Sequence, residues 1–276
     1  MTGALFVVAT PIGNLADISG RALEVLRSVS FIVCEDTRHS RLLLAHYGIS
    51  KETVSLPAFA ERKRSARILD RVSAGEDCAL ITDAGSPGIS DPGQALVSLA
   101  VERGIRVSPI PGPSAALAAL TVSGLPSSRF HFLGFLPRKS ADRAKVLAEV
   151  ELLRATLVMF ESPHRLADSL KEVGALLGQR RACVARELTK VHEEISRGTL
   201  AELAARYEGK DVLGEIAIVV EGRSEASRWS ESEVRSAIAE RIGRGESLKE
   251  LSRDLATRSG WPAQALYRLA LSLRSP

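Results

Sequence analysis

Apolar positions along this chain fall into two alternating textures. Short, near-continuous runs at 5–9, 31–34, 78–82 and 106–110 are separated by stretches at 21–28, 41–47 and 94–103 where apolar residues recur every three or four positions. The runs are too short for helices and are bounded by turn residues, so they read as buried strands with amphipathic helices between them. Regular alternation of the two predicts a parallel sheet covered on both faces. After Pro111-Gly112-Pro113 the texture changes to an alanine-rich helix at 114–122, followed by Ser123-Gly124-Leu125-Pro126-Ser127 as a linker. Strands return at 130–135, 157–160, 183–186 and 216–220, with helices at 142–154 and 165–177, and beyond Gly222 the pattern is helical throughout. The expected fold class is α/β: an α/β domain at 1–122, a second at 123–222 and a small helical C-terminal domain at 223–276.

Composition narrows this little. The chain has 276 residues, 45% hydrophobic and 25% charged, with a net charge of +4. That is ordinary for a globular protein, compatible with a polyanionic partner but far from a dedicated electrostatic binder. Cys34, Cys78 and Cys183 sit inside apolar runs without C-x-x-C spacing, which predicts reduced core thiols, and no His/Cys/Asp cluster has metal-ligand spacing, so no metal is expected. No apolar stretch approaches the roughly 20 residues of a membrane span, and the apolar run near the start has no preceding Lys or Arg. A cytoplasmic protein is expected, without membrane or signal segment.

Candidate chemistry concentrates at the carboxyl ends of the expected strands, where open α/β sheets bind ligands. The loop 83–93, from Asp83-Ala84-Gly85-Ser86 through Ile89 to Gly93, follows one strand and precedes a helix. It is neither a P-loop nor a G-x-G-x-x-G fingerprint, which weakens nucleotide triphosphate and nicotinamide readings. By itself it is equally a tight turn without a ligand. Two further special turns, Thr10-Pro11-Ile12-Gly13-Asn14 and Pro111-Gly112-Pro113-Ser114-Ala115-Ala116, occupy equivalent places. Polar clusters close other strands: Glu35-Asp36-Thr37-Arg38-His39, Glu161-Ser162-Pro163-His164-Arg165 and Arg186-Glu187-Leu188-Thr189-Lys190. Asp36 or Thr37 equally suits an N-cap. Basic groups at Arg62-Lys63-Arg64 with Arg67 and Arg71, and at Arg138-Lys139 with Arg143 and Lys145, suit either a phosphate track or a solvated helix face. In the tail, Leu251, Leu255, Gly260, Pro262 and Leu266 have helix-turn-helix spacing, open to a packing hairpin or an RNA reader. Aromatic residues make up only 4% of the chain, which disfavours recognition by extensive base stacking.

The segments LFVVATPIGNLADIS, CEDTRHS, LITDAGSPGISDPG, PGPSAALAALTVSGLP, FLGFLPRK, LVMFESPHRL, ARELTKVHEEISRGTL and GEIAIVVEG, in this order over residues 4–222, resemble the small-subunit ribosomal RNA 2′-O-methyltransferase branch of the tetrapyrrole-methylase superfamily. The resemblance implies two α/β domains of tetrapyrrole-methylase type with a cofactor cleft between them, S-adenosylmethionine as methyl donor, and a homodimer. The implied substrate is the ribose 2′-hydroxyl of a cytidine in the decoding centre of 16S rRNA, in the small ribosomal subunit. Carried over residue by residue, it assigns cofactor contact to Pro11, Asp83, Ala84, Gly85, Ser86, Ile89, Ser114 and Ala115 in the first domain, and to Glu161 and Leu188 in the second. The superfamily's V-G-x-G-P-G-D reads Val8-Ala9-Thr10-Pro11-Ile12-Gly13-Asn14 here, which argues against a tetrapyrrole substrate.

A ribose hydroxyl attacks well only once its proton has a destination. Glu35, Asp36 and Lys190 are the candidates to handle it, with Lys190 a base only if its surroundings lower its pKa. Arg38, Arg165 and Arg186 are expected on RNA phosphates, and Gln264 and Arg268, with Tyr267, are the exposed readers if the tail binds RNA. The competing readings are a tetrapyrrole methylase on the same fold and a non-catalytic ribosome assembly factor.

Overall fold

A computed structural model describes residues 2–224 and 229–274; of the tail expected at 223–276, positions 225–228 and 275–276 lie outside the described residues. The first half of the chain runs β1 (Ala4–Val8), α1 (Gly20–Ser28), β2 (Phe31–Cys34), α2 (Thr37–His46), β3 (Glu52–Ser55), α3 (Glu61–Ser73), β4 (Cys78–Leu80), α4 (Gln94–Glu102), β5 (Arg106–Ile110) and α5 (Ala115–Ser123). Its strands form a five-stranded sheet in the order β3-β2-β4-β1-β5, every pairing parallel. The apolar runs are continuous because both faces are covered. Leu5, Phe31, Val33 and Leu80 face Leu69 and Val72 of α3 and Leu96 of α4, whereas Val8, Ile32, Cys34 and Ala79 face Ala22 and Leu26 of α1 and Leu44 of α2.

The second half adds β6 (Phe130–Phe135), α6 (Ser140–Val150), β7 (Thr156–Glu161), α7 (Leu166–Leu177), β8 (Arg181–Arg186), β9 (Glu194–Thr199), α8 (Leu200–Tyr207) and β10 (Ile216–Val220). These strands form a second five-stranded sheet, β6-β7-β10-β8-β9, which is mixed: β6 pairs with β7 in parallel, and the other pairings are antiparallel. Leu157, Met159, Val184, Ile216 and Ile218 pack under Leu147 of α6, Leu170 and Val173 of α7 and Leu203 of α8. The alternate positions Val158, Cys183, Ala185, Ala217 and Val219 pack against Ala116, Ala119 and Leu120 of α5. The alanine-rich helix therefore lies on the second sheet, and its small side chains let it approach closely. Gly124, left-handed at φ 75°, ends it.

Two strands escaped the hydrophobic pattern, β3 and β9. Each is the edge strand of its sheet and mostly half-exposed, so neither needs a continuous apolar run. The tail comprises α9 (Glu231–Gly243), α10 (Leu248–Ser259) and α11 (Ala263–Arg274), closed over Val234, Ile238, Leu251, Leu255, Leu266 and Ala270. Cys34, Cys78 and Cys183 are buried free thiols. No helix among the described residues is long and apolar enough to cross a membrane.

Candidate active site

Three turns at the carboxyl edge of the first sheet are fastened to one another. Thr10, just after β1, exchanges both backbone hydrogen bonds with Gly85, its N–H donating at 2.9 Å and its carbonyl accepting at 3.1 Å. The Thr10 hydroxyl donates to the Thr82 carbonyl at 3.0 Å. Gly85 has φ +77°, and a Cβ there would stand 3.4 Å from Ile12 Cγ2, so the loop 83–93 turns where a side chain would meet strain and crowding together. The far end of that loop is held by Glu61 at the start of α3, whose carboxylate accepts from the N–H groups of Gly93 at 2.9 Å and Ala95 at 2.7 Å. This charge at the opening of α4 also complements the helix dipole.

The second sheet supplies the opposite wall. Glu161, at the end of β7, has a side chain 1% exposed; it accepts from the Ser162 N–H and the Ser169 hydroxyl and pairs with Arg165 at 3.1 Å. Arg165 also donates to the Pro137 carbonyl at 2.9 Å. Beyond β8 the chain makes an unusual turn, with Glu187 at φ 51° and Thr189 at φ 66°, both left-handed without being glycine. Lys190 holds it closed, its ammonium reaching Glu187 at 2.8 Å and Glu215 at 3.0 Å. The first-strand turn docks there: the Asn14 N–H donates to the Thr189 hydroxyl at 3.0 Å, and a Cβ at Gly13 would lie 2.5 Å from Lys190 Cγ and 2.8 Å from the Leu188 carbonyl. At Gly13 the first-strand turn thus approaches the backbone of the turn after β8 too closely for a side chain.

Between these walls lies a cavity of about 430 Å³, within the range of small-molecule sites. Ile12, Ile89, Phe160, Ala185, Leu188 and Ala217 give it an apolar lining, while Glu35, Asp83, Asp91, Glu161, Glu215, Ser86 and Ser114 add polar groups. Ser114 begins α5 without capping it through its hydroxyl, so the N-terminus of α5 opens on the cavity. The carboxylates from the first domain are not neutralised. Burial raises the pKa of Glu35, and Asp91, Asp83 and Asp36 reinforce the shift. Burial also raises Asp83 and Asp91; His39 opposes the shift at Asp83 and Thr82 that at Asp91, while Asp36 adds to the first and Asp83 and Glu215 to the second. Among the described residues no group of three or more His, Cys, Asp or Glu side chains is disposed to hold a metal ion.

The structure brings Asp83, Ala84, Gly85, Ser86, Ile89, Ser114, Ala115, Glu161 and Leu188 together around this one cavity, with Glu35 beside them. Pro11 is buried behind it, and its neighbour Ile12 takes the lining position. Asp36 caps α2 and pairs with Arg38, which holds its carboxyl at about 2, and it does not line the cavity. Lys190 is also off the lining: burial pulls its pKa down, but hydrogen bonds to Glu187 and Glu215 outweigh this, and the net shift is upward. It stays protonated, the opposite of what a base requires. Arg165 and Arg186 are drawn inward, Arg186 to Glu194 at 3.1 Å and the Leu213 carbonyl at 3.1 Å, because each satisfies a carboxylate and a carbonyl of its own domain. Arg38 keeps a side chain 88% exposed, and Gln264, Tyr267 and Arg268 are exposed on α11. Of the basic groups, Arg71 is committed to Glu52 and Glu76 and stacks 3.8 Å over Phe31, and Arg143 is buried against Glu172. Sequence reasoning missed Asp91, Glu215 and Phe160 as lining residues. Asp91 lies inside the loop already singled out, and Phe160 and Glu215 lie inside the quoted segments LVMFESPHRL and GEIAIVVEG, but no residue pattern marked any of the three as facing a cavity.

A family model of tetrapyrrole (corrin/porphyrin) methylases matches residues 4–204. The chain belongs to this family. It is 46% identical to the ribosomal RNA small subunit methyltransferase I of Mesorhizobium japonicum, across 98% of this chain and 92% of that protein. Among solved structures it resembles diphthine synthase (TM-score 0.64, 18% identity, 80% of this chain and 91% of that one). It also resembles uroporphyrin-III C-methyltransferase from Thermus thermophilus in complex with S-adenosylhomocysteine (TM-score 0.56, 19% identity, 79% and 97%). These likenesses establish a methylase fold, and the protein is a methyltransferase of the tetrapyrrole-methylase type.

Proposed function

We propose that the protein uses S-adenosylmethionine to methylate the ribose 2′-hydroxyl of a cytidine in the decoding centre of 16S rRNA. The observation that carries the proposal is the cavity itself, where nine of the ten positions assigned to the cofactor from the resemblance converge while three unneutralised carboxylates, Glu35, Asp83 and Asp91, share its lining. That lining fits the cofactor: apolar side chains for the adenine, Ser114 and the first turn of α5 for polar oxygens, carboxylates for the positive charge. The substrate side of the proposal draws on the altered first-strand turn and on the name carried by the 46%-identical relative. Action in the cytoplasm as a homodimer belongs to the same proposal.

S-adenosylmethionine, when bound, supplies an electrophilic methyl group on a sulfonium and departs as the neutral thioether. The protein's part is to align the hydroxyl, exclude water and receive its proton. Glu35 suits the last task. It is the one expected proton acceptor that borders the cavity, and its raised pKa, caused first by burial and then by the neighbouring carboxylates, makes it a better base than an ordinary glutamate. By taking the hydroxyl proton, Glu35 removes one negative charge from the cavity in the same step in which the cofactor's positive charge disappears. The net charge of the site is then unchanged, and Asp83 and Asp91 are spared added repulsion.

The test is transfer of labelled methyl from S-adenosylmethionine to small ribosomal subunits, followed by nucleoside analysis. The expected product is 2′-O-methylcytidine; label in a base, or only in a porphyrinoid, overturns the proposal.

A further inference from the structure

Phe59 is 92% exposed, the most exposed aromatic side chain among the described residues with a stated exposure, in a chain with few aromatics. Single exposed apolar residues are common and need no explanation. This one stands at a distinctive place. It occupies the single 3₁₀ turn Ala58–Ala60 that joins β3 to α3, and both ends of that turn are tied to cavity-forming segments. On one side, the Ser55 hydroxyl donates to the Glu35 carbonyl at 3.2 Å and the Leu56 N–H donates to the Cys34 carbonyl at 2.7 Å. On the other, Glu61 grips Gly93 and Ala95, the end of the cavity loop and the start of α4. Two residues from Glu61 and four from Ser55, the Phe59 backbone lies within about 7 Å and 14 Å of those anchors. The turn that carries the exposed ring is thereby held at both ends by segments that form the cavity.

Its surroundings are basic. Arg62 and Lys63 are exposed on the first turn of α3. Arg64 is turned back to the Ser55 carbonyl at 2.7 Å and braces the segment instead. An exposed aromatic ring flanked by unspent cations matches a single-stranded polyanion with flat bases: bases stack on the ring and phosphates meet the cations. An apolar peptide would gain from the ring but not from the cations.

We propose that Phe59 is a stacking platform for one unpaired nucleotide of the RNA substrate, with Arg62 and Lys63 on its phosphates, positioning the neighbouring ribose over the cavity. The proposal rests on the RNA methyltransferase function proposed above. It makes Phe59 a positioning residue that acts on substrate binding and leaves cofactor binding untouched.

Methyl transfer to small ribosomal subunits, measured as a function of subunit concentration, tests it. Stacking on an aromatic is worth about 1–3 kcal/mol per base, so Phe59→Ala should raise KM for the subunit by about 5- to 150-fold. Affinity for S-adenosylhomocysteine, read by calorimetry, and the thermal midpoint should not move, since the side chain is solvent-exposed. Phe59→Trp should restore the KM, and Phe59→Leu should not. An unchanged KM in Phe59→Ala, a Leu variant equal to wild type (an apolar contact with protein), or a change in self-association of Phe59→Ala by sedimentation each overturns the platform. Wild-type protein that transfers no methyl to small subunits overturns the proposed function and the platform with it; wild-type transfer with an unmoved KM in Phe59→Ala overturns the platform alone.

Discussion

The two walls of the cavity are both rich in carboxylates, yet they handle charge in opposite ways. On the second-domain wall both lining acids have a cation: Glu161 has Arg165, and Glu215 has Lys190. On the first-domain wall Glu35, Asp83 and Asp91 face one another, and their pKa values rise. Paired charges hold geometry, whereas crowded like charges stay ready to accept a proton or a cation. The second wall is therefore held in place by its ion pairs, and the first keeps its carboxylates without a paired Lys or Arg among the described residues, as the proposed proton transfer to Glu35 requires.

The difference is broken most severely by removing the proposed proton acceptor. Glu35→Gln should lower the single-turnover rate of methyl transfer by about 10²- to 10⁴-fold, the usual worth of a general base, while stability holds or rises. On the other wall the outcome reverses. Glu161→Ala leaves Arg165 without its carboxylate and should cost about 3 kcal/mol in chemical denaturation, the lower end for breaking a buried pair because Arg165 keeps carbonyl acceptors. Gly85→Val forces a branched residue into φ +77° beside Ile12 and should cost about 1–3 kcal/mol, with binding of S-adenosylhomocysteine by calorimetry reduced at least about tenfold. Lys190→Met should weaken the same binding by about fivefold at most, a surface-pair magnitude, because Glu215 remains largely solvated.

The smallest effect is in pH dependence, and it too separates the walls. A carboxyl whose folded pKa is raised binds more protons folded than unfolded between its two pKa values. For Glu35 the stabilising share is full below its ordinary value of 4.5 and is lost as pH rises through the raised folded value. The rate should rise over that same interval as the base ionises. Glu35→Gln should flatten both limbs, measurable by denaturation and by pH–rate profiles. Asp36 works in the other direction: lowered from 3.8 to about 2, its contribution is present above 3.8 and is lost as pH falls through 2.

Much of the fold was legible because buried strands in covered sheets need continuous apolar runs, and Phe31–Cys34, Cys78–Leu80 and Ile216–Val220 appear where the pattern puts them. The edge strands β3 and β9 were hidden for the complementary reason, since a half-exposed strand carries polar residues such as Glu52 and Arg197. The cavity positions were legible through motifs and resemblance. The roles of charged residues were not: Lys190, Arg165 and Arg186 look like functional cations in sequence, but their partners Glu215, Glu161 and Glu194 are assigned by strand pairing and loop closure.

By itself, then, the sequence determined the alternation of strands and helices, the three special turns at one sheet edge and the family to which they belong, because these depend on local periodicity and on residue types at fixed spacing. Tertiary structure alone decided that α5 serves the second sheet, that Gly13 touches the Leu188–Lys190 turn, and which carboxylates meet a cation and which meet one another. A side chain's pKa and hydrogen-bond partners are properties of its neighbours in space, and those neighbours come from segments up to 175 residues apart, as in the Asn14–Thr189 contact.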